Sequence, residues 1–558
     1  MLETAVIVPS AAMFDGWRAR VGQLRGALGW PAGPIVARAH AGGASLAFSA
    51  PVDQWFSATE VNEWAWASVV LEHAPAAELE RLDALHAPGH AAAWDAASAW
   101  HTLRLHADGE RDRPLAALVA AAHARGVTAL IDDDVLSIGS GNGSMGWPRS
   151  MLPGVEAVDW KSAHDIPIAL VTGSNGKTTT VRLLAAMARA HGWKTAHSCT
   201  DGLFLDGQVL DAGDYSGPAG ARKLLRHQEA QAAILETARG GILRRGIAPQ
   251  RARCAIVTNI SDDHFGEYGV HSLDDLAAVK LAVARVVAAD GLLVLNADDA
   301  LLVGHARALD ARLGWFARND GNPVLVDHRA HGGATCGVQA GRLRLADAGE
   351  VHDLGEVEAM PLTFAGRATY NIANAAAAVL AAHALGIEPA TIASVLARFG
   401  SERDDNPGRL QHWSIDGRTV LLDYAHNPDG LRGLLEVAHG AIEGQGRLVV
   451  LLGQAGNRGD AEVVELATVA AAARPMRIVL KDIEGMLRGR APGEIPAILR
   501  TALERAGVAP ESIVECRDEL EAAILAVMSA TAGDVVVLPI HAARTRGALI
   551  DWLDAHAD

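Results

Sequence analysis

The chain has 558 residues, a length that predicts three or four domains, and half of its residues are hydrophobic, enough for sizeable cores. Its 66 acidic and 49 basic side chains leave a formal net charge of −17. A surface of that sign repels phosphate backbones and anionic lipid, so neither nucleic acid nor a membrane is an expected partner. Four cysteines, Cys199, Cys254, Cys336 and Cys516, none in CxxC spacing, fit a reducing compartment and argue against a structural zinc site or a disulfide framework. The N-terminal stretch carries no basic leader and no apolar run approaches bilayer length, so the expected location is cytoplasmic.

Residues 1–160 read as a small N-terminal α/β domain. The spacing of Trp64, Trp66 and Val69 to Leu71 predicts a helix over 59–74 with those residues on its apolar positions. Residues 114–132 read as a helix, a stop at Gly126 and a strand. The Gly- and Ser-rich stretch SIGSGNGSMGWPRS (137–150) is not followed by a lysine or by a helical pattern. It reads as a flexible surface turn before a domain boundary rather than as a phosphate loop.

Residues 161–400 read as a parallel-sheet nucleotide-binding domain. The apolar run Ile166–Leu170 leads into VTGSNGKTTT (171–180), and a helical run, Val181–Arg189, follows. A strand, a Gly-rich turn ending in Lys-Thr and a helix make a cradle for a nucleoside triphosphate. Glycines let the backbone approach the phosphates, and the amides of the helix N-terminus face their charge. Lys177 would reach the terminal phosphates and Thr178 would offer a hydroxyl to Mg²⁺. Gly173, Ser174, Asn175, Gly176, Lys177, Thr178 and Thr179 are therefore the candidate nucleotide contacts. The loop is shorter than the usual GxxxxGK[ST], with two residues rather than four between Gly173 and Gly176. Strand-like runs at 232–237, 254–260 and 291–296 alternate with helical stretches, the rhythm of a parallel sheet covered by helices. Glu236 ends one of them, where a carboxylate can hold Mg²⁺ opposite Thr178. TNISDDHFGEYG (258–269) puts His264 beside two aspartates at another strand end. Lys280 lies on a helical pattern that by itself predicts a solvated side chain. Residues 320–365 read as a small β insertion, and 370–387 and 389–399 as helices.

Residues 401–558 open with the charged linker SERDDNPGRLQ and continue as a second, Rossmann-like α/β unit. Its strand candidates are 418–425, 447–453, 477–482 and 534–539. Arg409 in the linker is placed to reach a bound phosphate on domain closure. DYAHNPDG (423–430) follows a strand, with Asp423 able to bind a ribose hydroxyl or order a metal's water and His426 to contact phosphate. NPDG alone is also a good turn.

In this order, the short loop GSNGKTTT, the DDH strand end, YNIANAAAA, GRL and DYAHNPD resemble the Mur ligase family of ATP-dependent amide ligases. Within that family the chain resembles the ligase half of the cyanophycin synthetases. The strings that carry this are TDGLFLDGQVLDAGDYSGP (200–218), LETARGGILRRGI (235–247) and LRGRAPGE (487–494). The resemblance covers roughly residues 165–540. It implies a triphosphate and first Mg²⁺ site at Lys177, Thr178 and Glu236. It implies a second metal site at His264, with Lys280 a candidate for carbamylation, and nucleotide contacts at Asn371, Arg409 and Asp423. Arg488, Arg490, Glu484 and Glu494 fall where the incoming amino acid would meet the third domain. About 160 residues precede the loop, and ALVAAAHARGVTALIDDDVLSIGSGNG resembles the start of an ATP-grasp domain. Extension of an aspartate backbone is therefore not expected of this chain.

The implied reaction joins a carboxylate, on a peptide or polymer acceptor, to the amine of an amino acid such as arginine. ATP would be spent through an acyl phosphate, with Mg²⁺ as cofactor. A homo-oligomer is one arrangement open to it. Two other classes stand beside this reading: a P-loop ATPase that drives motion or partner binding, and a non-catalytic partner subunit of a synthetase.

Overall fold

The computed structural model describes residues 1–5, 9–40, 43–73, 96–262, 267–483 and 485–558. They form two compact units. The smaller takes in Met1–Ile166, Arg226–Gln228 and, among the described residues, 267–276. The larger takes in Pro167–Leu225, residues 229–262 and Ala277–Asp558.

In the smaller unit β1 (Leu2–Ala5), β2 (Ile35–His40) and β3 (Gly43–Phe48) form an antiparallel sheet in the order β1-β3-β2. The helices Ala11–Ala27 and Trp55–His73 lie in the same core, with Trp17, Trp64, Trp66 and Val69 buried. Trp17 can be fully enclosed because its indole N–H donates to Asn62 Oδ1 at 2.9 Å. Leu71, expected on the apolar face, is exposed. A second sheet joins β4 (Ala129–Ile131), β5 (Val135–Ile138) and β6 (Met145–Pro148). The stretch 137–150 is thus no flexible surface turn. It holds an antiparallel pair closed by a single 3₁₀ turn, Gly141–Gly143, with Ser137, Ser140 and Ser144 buried. The Ser140 hydroxyl accepts the backbone N–H of Ile166 at 3.0 Å, so what looked like flexibility-prone composition is backbone satisfaction by serine.

The larger unit is built on two sheets. The first carries eleven strands: β7 (Ile168–Thr172), β8 (Thr195–Cys199), β9 (Gly202–Leu205), β10 (Gln208–Ala212), β11 (Ala232–Glu236), β12 (Ala252–Val257), β13 (Val287–Asn296), β14 (Leu313–Phe316), β15 (Ala334–Gln339), β16 (Arg342–Asp347) and β17 (Glu350–Glu356). Their order is β10-β9-β8-β11-β7-β12-β13-β14-β15-β16-β17. The stretch from β8 to β15 is parallel. β7 lies inside it and every residue of the strand is buried, which is why its sequence is an unbroken apolar run rather than an alternating one. The helices Lys177–Ala190 and Thr369–Ala384 share one core with it. In the second of these, Ala375–Ala378 and Ala381–Ala382 are buried, small enough for close packing.

Residues 320–365 do not make a separate insertion. After the helix Pro323–Ala330, β15 joins the parallel sheet and β16 and β17 extend its edge as antiparallel hairpins. Their turns, Ala340-Gly341 and Ala348-Gly349, have positive φ at both residues, the geometry that suits the twist of a tight hairpin.

The second sheet orders β18 (Gln411–Ile415), β19 (Arg418–Asp423), β20 (Leu448–Leu452), β21 (Arg477–Leu480), β22 (Ile513–Glu515) and β23 (Val535–Pro539) as β18-β19-β23-β20-β21-β22. All neighbours are parallel except β18 and β19.

His197, in β8, is buried with its ring parallel to Phe204, centroids 4.4 Å apart, and neither ring nitrogen has a hydrogen-bond partner. Burial, and then the nearby Arg182 and Arg189, push its pKa well below the ordinary value. The folded state therefore holds this imidazole neutral while the unfolded chain protonates it near pH 6.5, so stability is present above that pH and is lost as pH falls below it. His197→Phe keeps the stack and removes the titration. Its urea midpoint should fall less between pH 7 and pH 5.5 than that of the unaltered protein.

Candidate active site

β7 ends at Thr172 and the chain turns sharply before the helix Lys177–Ala190. Two positions force glycine. Gly173 has φ 145° and a Cβ there would lie 1.8 Å from Thr258 Oγ1; Gly176 has φ 83° and its Cβ would lie 2.1 Å from Asn374 Oδ1. The two-residue spacing between them is taken up by Ser174 and Asn175, both held from outside the loop. The Asn175 N–H donates to Asn259 Oδ1 at 2.9 Å, and its carbonyl accepts Thr258 Oγ1 at 2.6 Å and Asn259 Nδ2 at 3.1 Å. Its side chain donates to Ser261 Oγ at 3.3 Å and accepts Asn427 Nδ2 at 2.9 Å. The Ser174 hydroxyl donates to the Ser261 carbonyl at 2.9 Å and accepts both the Ser261 N–H and the Lys280 ammonium at 3.0 Å.

Lys177 folds back over the loop, its Nζ donating to the Ser174 carbonyl at 2.9 Å. Thr178 Oγ1 donates to Glu236 Oε2 at 2.8 Å, and Thr200 Oγ1 donates to Glu236 Oε1 at 3.1 Å. Glu236 ends β11, next to the loop strand, and is buried. Burial pushes its carboxyl above the ordinary glutamate value, opposed by Lys177, the Thr178 hydroxyl and Arg409. A hydroxyl and a carboxylate meeting beside a lysine at a phosphate loop are hard oxygen donors of the kind Mg²⁺ takes, so these residues fit that ion.

Lys280 is not solvated. It is 2% exposed, and its amine is directed at the loop. Asn371 is buried, donating to the Leu362 carbonyl at 2.9 Å and accepting from Asn374 Nδ2 at 3.1 Å; Asn374 in turn crowds Gly176. Thr179 accepts a 3.3 Å hydrogen bond from Asn406 in the linker. Beside the second sheet, Arg409, ahead of β18, stacks on Tyr424, just past β19, with its guanidinium carbon 4.3 Å from the ring centroid. Asp423 accepts the Leu410 N–H at 2.7 Å; burial raises its pKa, and Arg409 and the surrounding backbone amides oppose the rise. His426 lies with Nδ1 3.2 Å from the Tyr424 carbonyl, and its own carbonyl accepts Gln454 Nε2. Asn427 carries this strand end directly onto Asn175.

Arg490 bonds the carbonyls of Gly456 and Arg458 and pairs with Asp460 at 2.7 Å and Glu494 at 2.8 Å, so it braces the loop it sits in; Arg488 is exposed. His264 and Glu484 lie outside the described residues. Sequence reasoning passed over Asn259, Ser261, Asn374, Tyr424 and Asn427, all of which hold or border the loop. All of them, and Thr200, sat inside quoted strings without a role.

Gly176→Ala tests the cradle. A side chain at φ 83° that strikes Asn374 should cost about 1–3 kcal/mol of stability and displace the loop. The expected outcome is a lowered melting temperature together with loss of ADP binding by titration calorimetry.

The sequence profile of the Mur ligase middle domain matches residues 171–382, and that of the Mur ligase glutamate ligase domain matches 408–539. The chain is 34% identical over 376 residues to a cyanophycin synthetase of Synechocystis sp., covering 67% of this chain and 42% of the relative. It spans a little under half the length of the cyanophycin synthetases it matches. It is 30% identical over 378 residues to the UDP-N-acetylmuramoyl-L-alanyl-D-glutamate--2,6-diaminopimelate ligase of Xanthomonas campestris pv. campestris, covering 66% of this chain and 70% of the relative. In fold it is similar to a bifunctional folylpolyglutamate synthase/dihydrofolate synthase solved with Mn, AMPPNP and L-glutamate bound, with a TM-score of 0.51, 20% identity, and 70% and 89% of the two chains covered. On these matches and the loop geometry beneath them, the chain belongs to the Mur ligase family.

Proposed function

We propose that this chain is an ATP-dependent, ADP-forming ligase that joins a carboxylate to an amine. The observation that carries the reading is the Thr178–Glu236 hydrogen bond beside Lys177 at the mouth of a short phosphate loop. The Asn427–Asn175 bond supports it, because it brings the Arg409–Tyr424 pair of the second sheet's segment to that same loop.

A carboxylate resists attack by an amine because it is anionic and has no good leaving group. Transfer of the γ-phosphoryl group to a carboxylate oxygen gives an acyl phosphate and ADP. The amine nitrogen then attacks the carbonyl carbon, the C–O bond to phosphate breaks, and a proton leaves the nitrogen. The protein's part is positioning and charge stabilisation. On this reading Gly173–Thr179 present backbone amides to the phosphates, and the Lys177 ammonium leaves the Ser174 carbonyl for the terminal phosphoryl oxygens. Thr178 and Glu236 would hold Mg²⁺, which when bound neutralises phosphate charge. Lys280 in carbamylated form and His264 are the proposed second metal position, and Asn371, Asp423 and His426 the remaining nucleotide surroundings. Arg409 reaches the phosphates as the two sheets' segments close, which excludes water from the acyl phosphate.

For substrates we propose a basic amino acid such as arginine and an aspartyl side-chain carboxylate on a peptide or polymer, the chemistry that likeness to cyanophycin synthetases supports. Arg488, Glu484 and the loop braced by Arg490 and Glu494 are the proposed amino-acid side of the site.

Lys177→Ala should lower turnover about 10³-fold while the melting temperature stays near that of the unaltered protein. ADP release measured with poly-aspartate and a panel of amino acids checks it. Release that depends on the amine supports the ligase, release without any amine favours a free-standing ATPase, and an unimpaired Lys177→Ala variant overturns the reading.

A further inference from the structure

Asp201 follows β8, one residue after the Thr200 hydroxyl that bonds Glu236. Its carboxylate is largely buried and is gripped from two directions. Arg182, from the helix that the phosphate loop opens, donates to Oδ2 at 3.2 Å. Arg546, from the last helix of the chain (Ala543–His556), donates to Oδ1 at 2.5 Å. Arg182 and Arg546 are themselves 8% and 11% exposed. Burial pushes the Asp201 carboxyl up, and Arg409, Arg546 and Arg182 together outweigh it and hold it below its ordinary value.

The path of Arg546 is specific. A Cβ on Gly408 would lie 2.4 Å from its Cδ, so the glycine before Arg409 leaves the channel it runs through. Its guanidinium carbon is 5.9 Å from the centroid of Tyr424, the ring that carries Arg409 at 4.3 Å. The Asn427–Asn175 and Asn406–Thr179 bonds that also join the two sheets' segments are neutral. Arg546–Asp201 is ionic and directional. A buried ion pair adds little net stability, because desolvation offsets attraction, but losing one partner leaves an uncompensated charge. Such a pair therefore selects one docked geometry over others nearby more than it strengthens the fold.

We propose that Arg546 and Asp201 form the clasp that seats the second sheet's segment over the phosphate loop, and that Arg546 is a positioning residue holding Tyr424 and Arg409 towards the nucleotide. This rests on the reading above that the loop binds nucleotide and that Arg409 faces its phosphates.

Amide hydrogen exchange on the full chain, with and without AMPPNP and Mg²⁺, tests it. In the unaltered protein AMPPNP should slow exchange both at 173–179 and at 406–411 with 424–427. In Arg546→Gln and in Asp201→Asn the slowing at 173–179 should remain, while that at 406–411 and 424–427 falls about tenfold. The double variant should lose no more at 406–411 and 424–427 than Asp201→Asn does alone, since that change already removes the Arg546 pair along with the Arg182 one, and Arg546→Lys should recover part of the effect. Protection of the second pair of segments that survives in the variants, additive losses in the double variant, or absence of that protection in the unaltered protein overturns the clasp. Absence of slowing at 173–179 in the unaltered protein overturns the nucleotide reading itself. Loss of protection at all segments alike in the variants assigns the pair a general structural role and also overturns the proposal.

Discussion

Asn175 is the residue on which the rest of the larger unit is hung. A loop that must bring bare backbone up to a polyanion cannot satisfy its own polar groups, because the helix after it uses only its own carbonyls. Here the amide, the carbonyl and both ends of the Asn175 side chain each have a partner, drawn from the end of β12 and from the end of β19. The loop is therefore not a free turn but the meeting place of two sheets. The second sheet's register against the first is set partly by one asparagine–asparagine bond, and its strand-end residues come with it.

Net charge gives no hint of this place. The chain carries a formal −17, yet the charged neighbours of Asp201, Glu236 and Asp423 include Lys177, Arg182, Arg409 and Arg546, with Asp214 as an opposing negative charge near Glu236. Burial raises two of these three carboxyls, Glu236 and Asp423, and the arginines win only at Asp201. The difference is geometric. Asp201 receives two guanidinium hydrogen bonds, whereas Glu236 receives hydroxyls and Asp423 backbone amides. Hydroxyls are weaker partners for a carboxylate than charged forks. Glu236 is thus a buried carboxylate hydrogen-bonded by hydroxyls, one of them that of Thr178 in the helix after the loop.

The phosphate loop was legible in sequence because its chemistry is local: two glycines, a lysine and a threonine within one turn. Glu236 and Asp423 were legible because apolar strands mark their own ends. What escaped was non-local. Asn374 is one polar residue in an alanine-rich helix, and nothing in that helix says it abuts Gly176. Arg546 stands in the first turn of the last helix, and its partner lies 345 positions earlier in the chain. β8 (TAHSC), β10 (QVLDA) and β18 (QHWSI) lack the unbroken apolar run that marks β7, β11 and β20, and β22 has only three residues. The edge strands β16 and β17 were read as a small insertion because their pairing to β15 depends on hairpin register, which Ala-Gly turns do not announce.

Two buried lysines have a common use. Lys280, whose helical pattern alone predicts solvation but which the family resemblance puts at the site, and Lys481, which follows β21, are 2% and 0% exposed. Lys280 donates to the Ser174 hydroxyl beneath the first loop. Lys481 donates to Glu519 and, at 2.6 Å, to the carbonyl of Pro539 at the end of β23. Glu519 also accepts the backbone N–H groups of His541 and Ala542, and His541 Nε2 lies 3.0 Å from the Ala425 carbonyl. Burial, then Lys481, keeps that imidazole neutral, so Nε2 carries its hydrogen as a donor to Ala425 and Nδ1 is left as the lone-pair side. Each sheet thus has a buried lysine beneath its strand-end loops. At Lys481, removing Glu519 would leave an uncompensated buried charge, at a cost of about 3–5 kcal/mol, so the pair fixes the loop after β23.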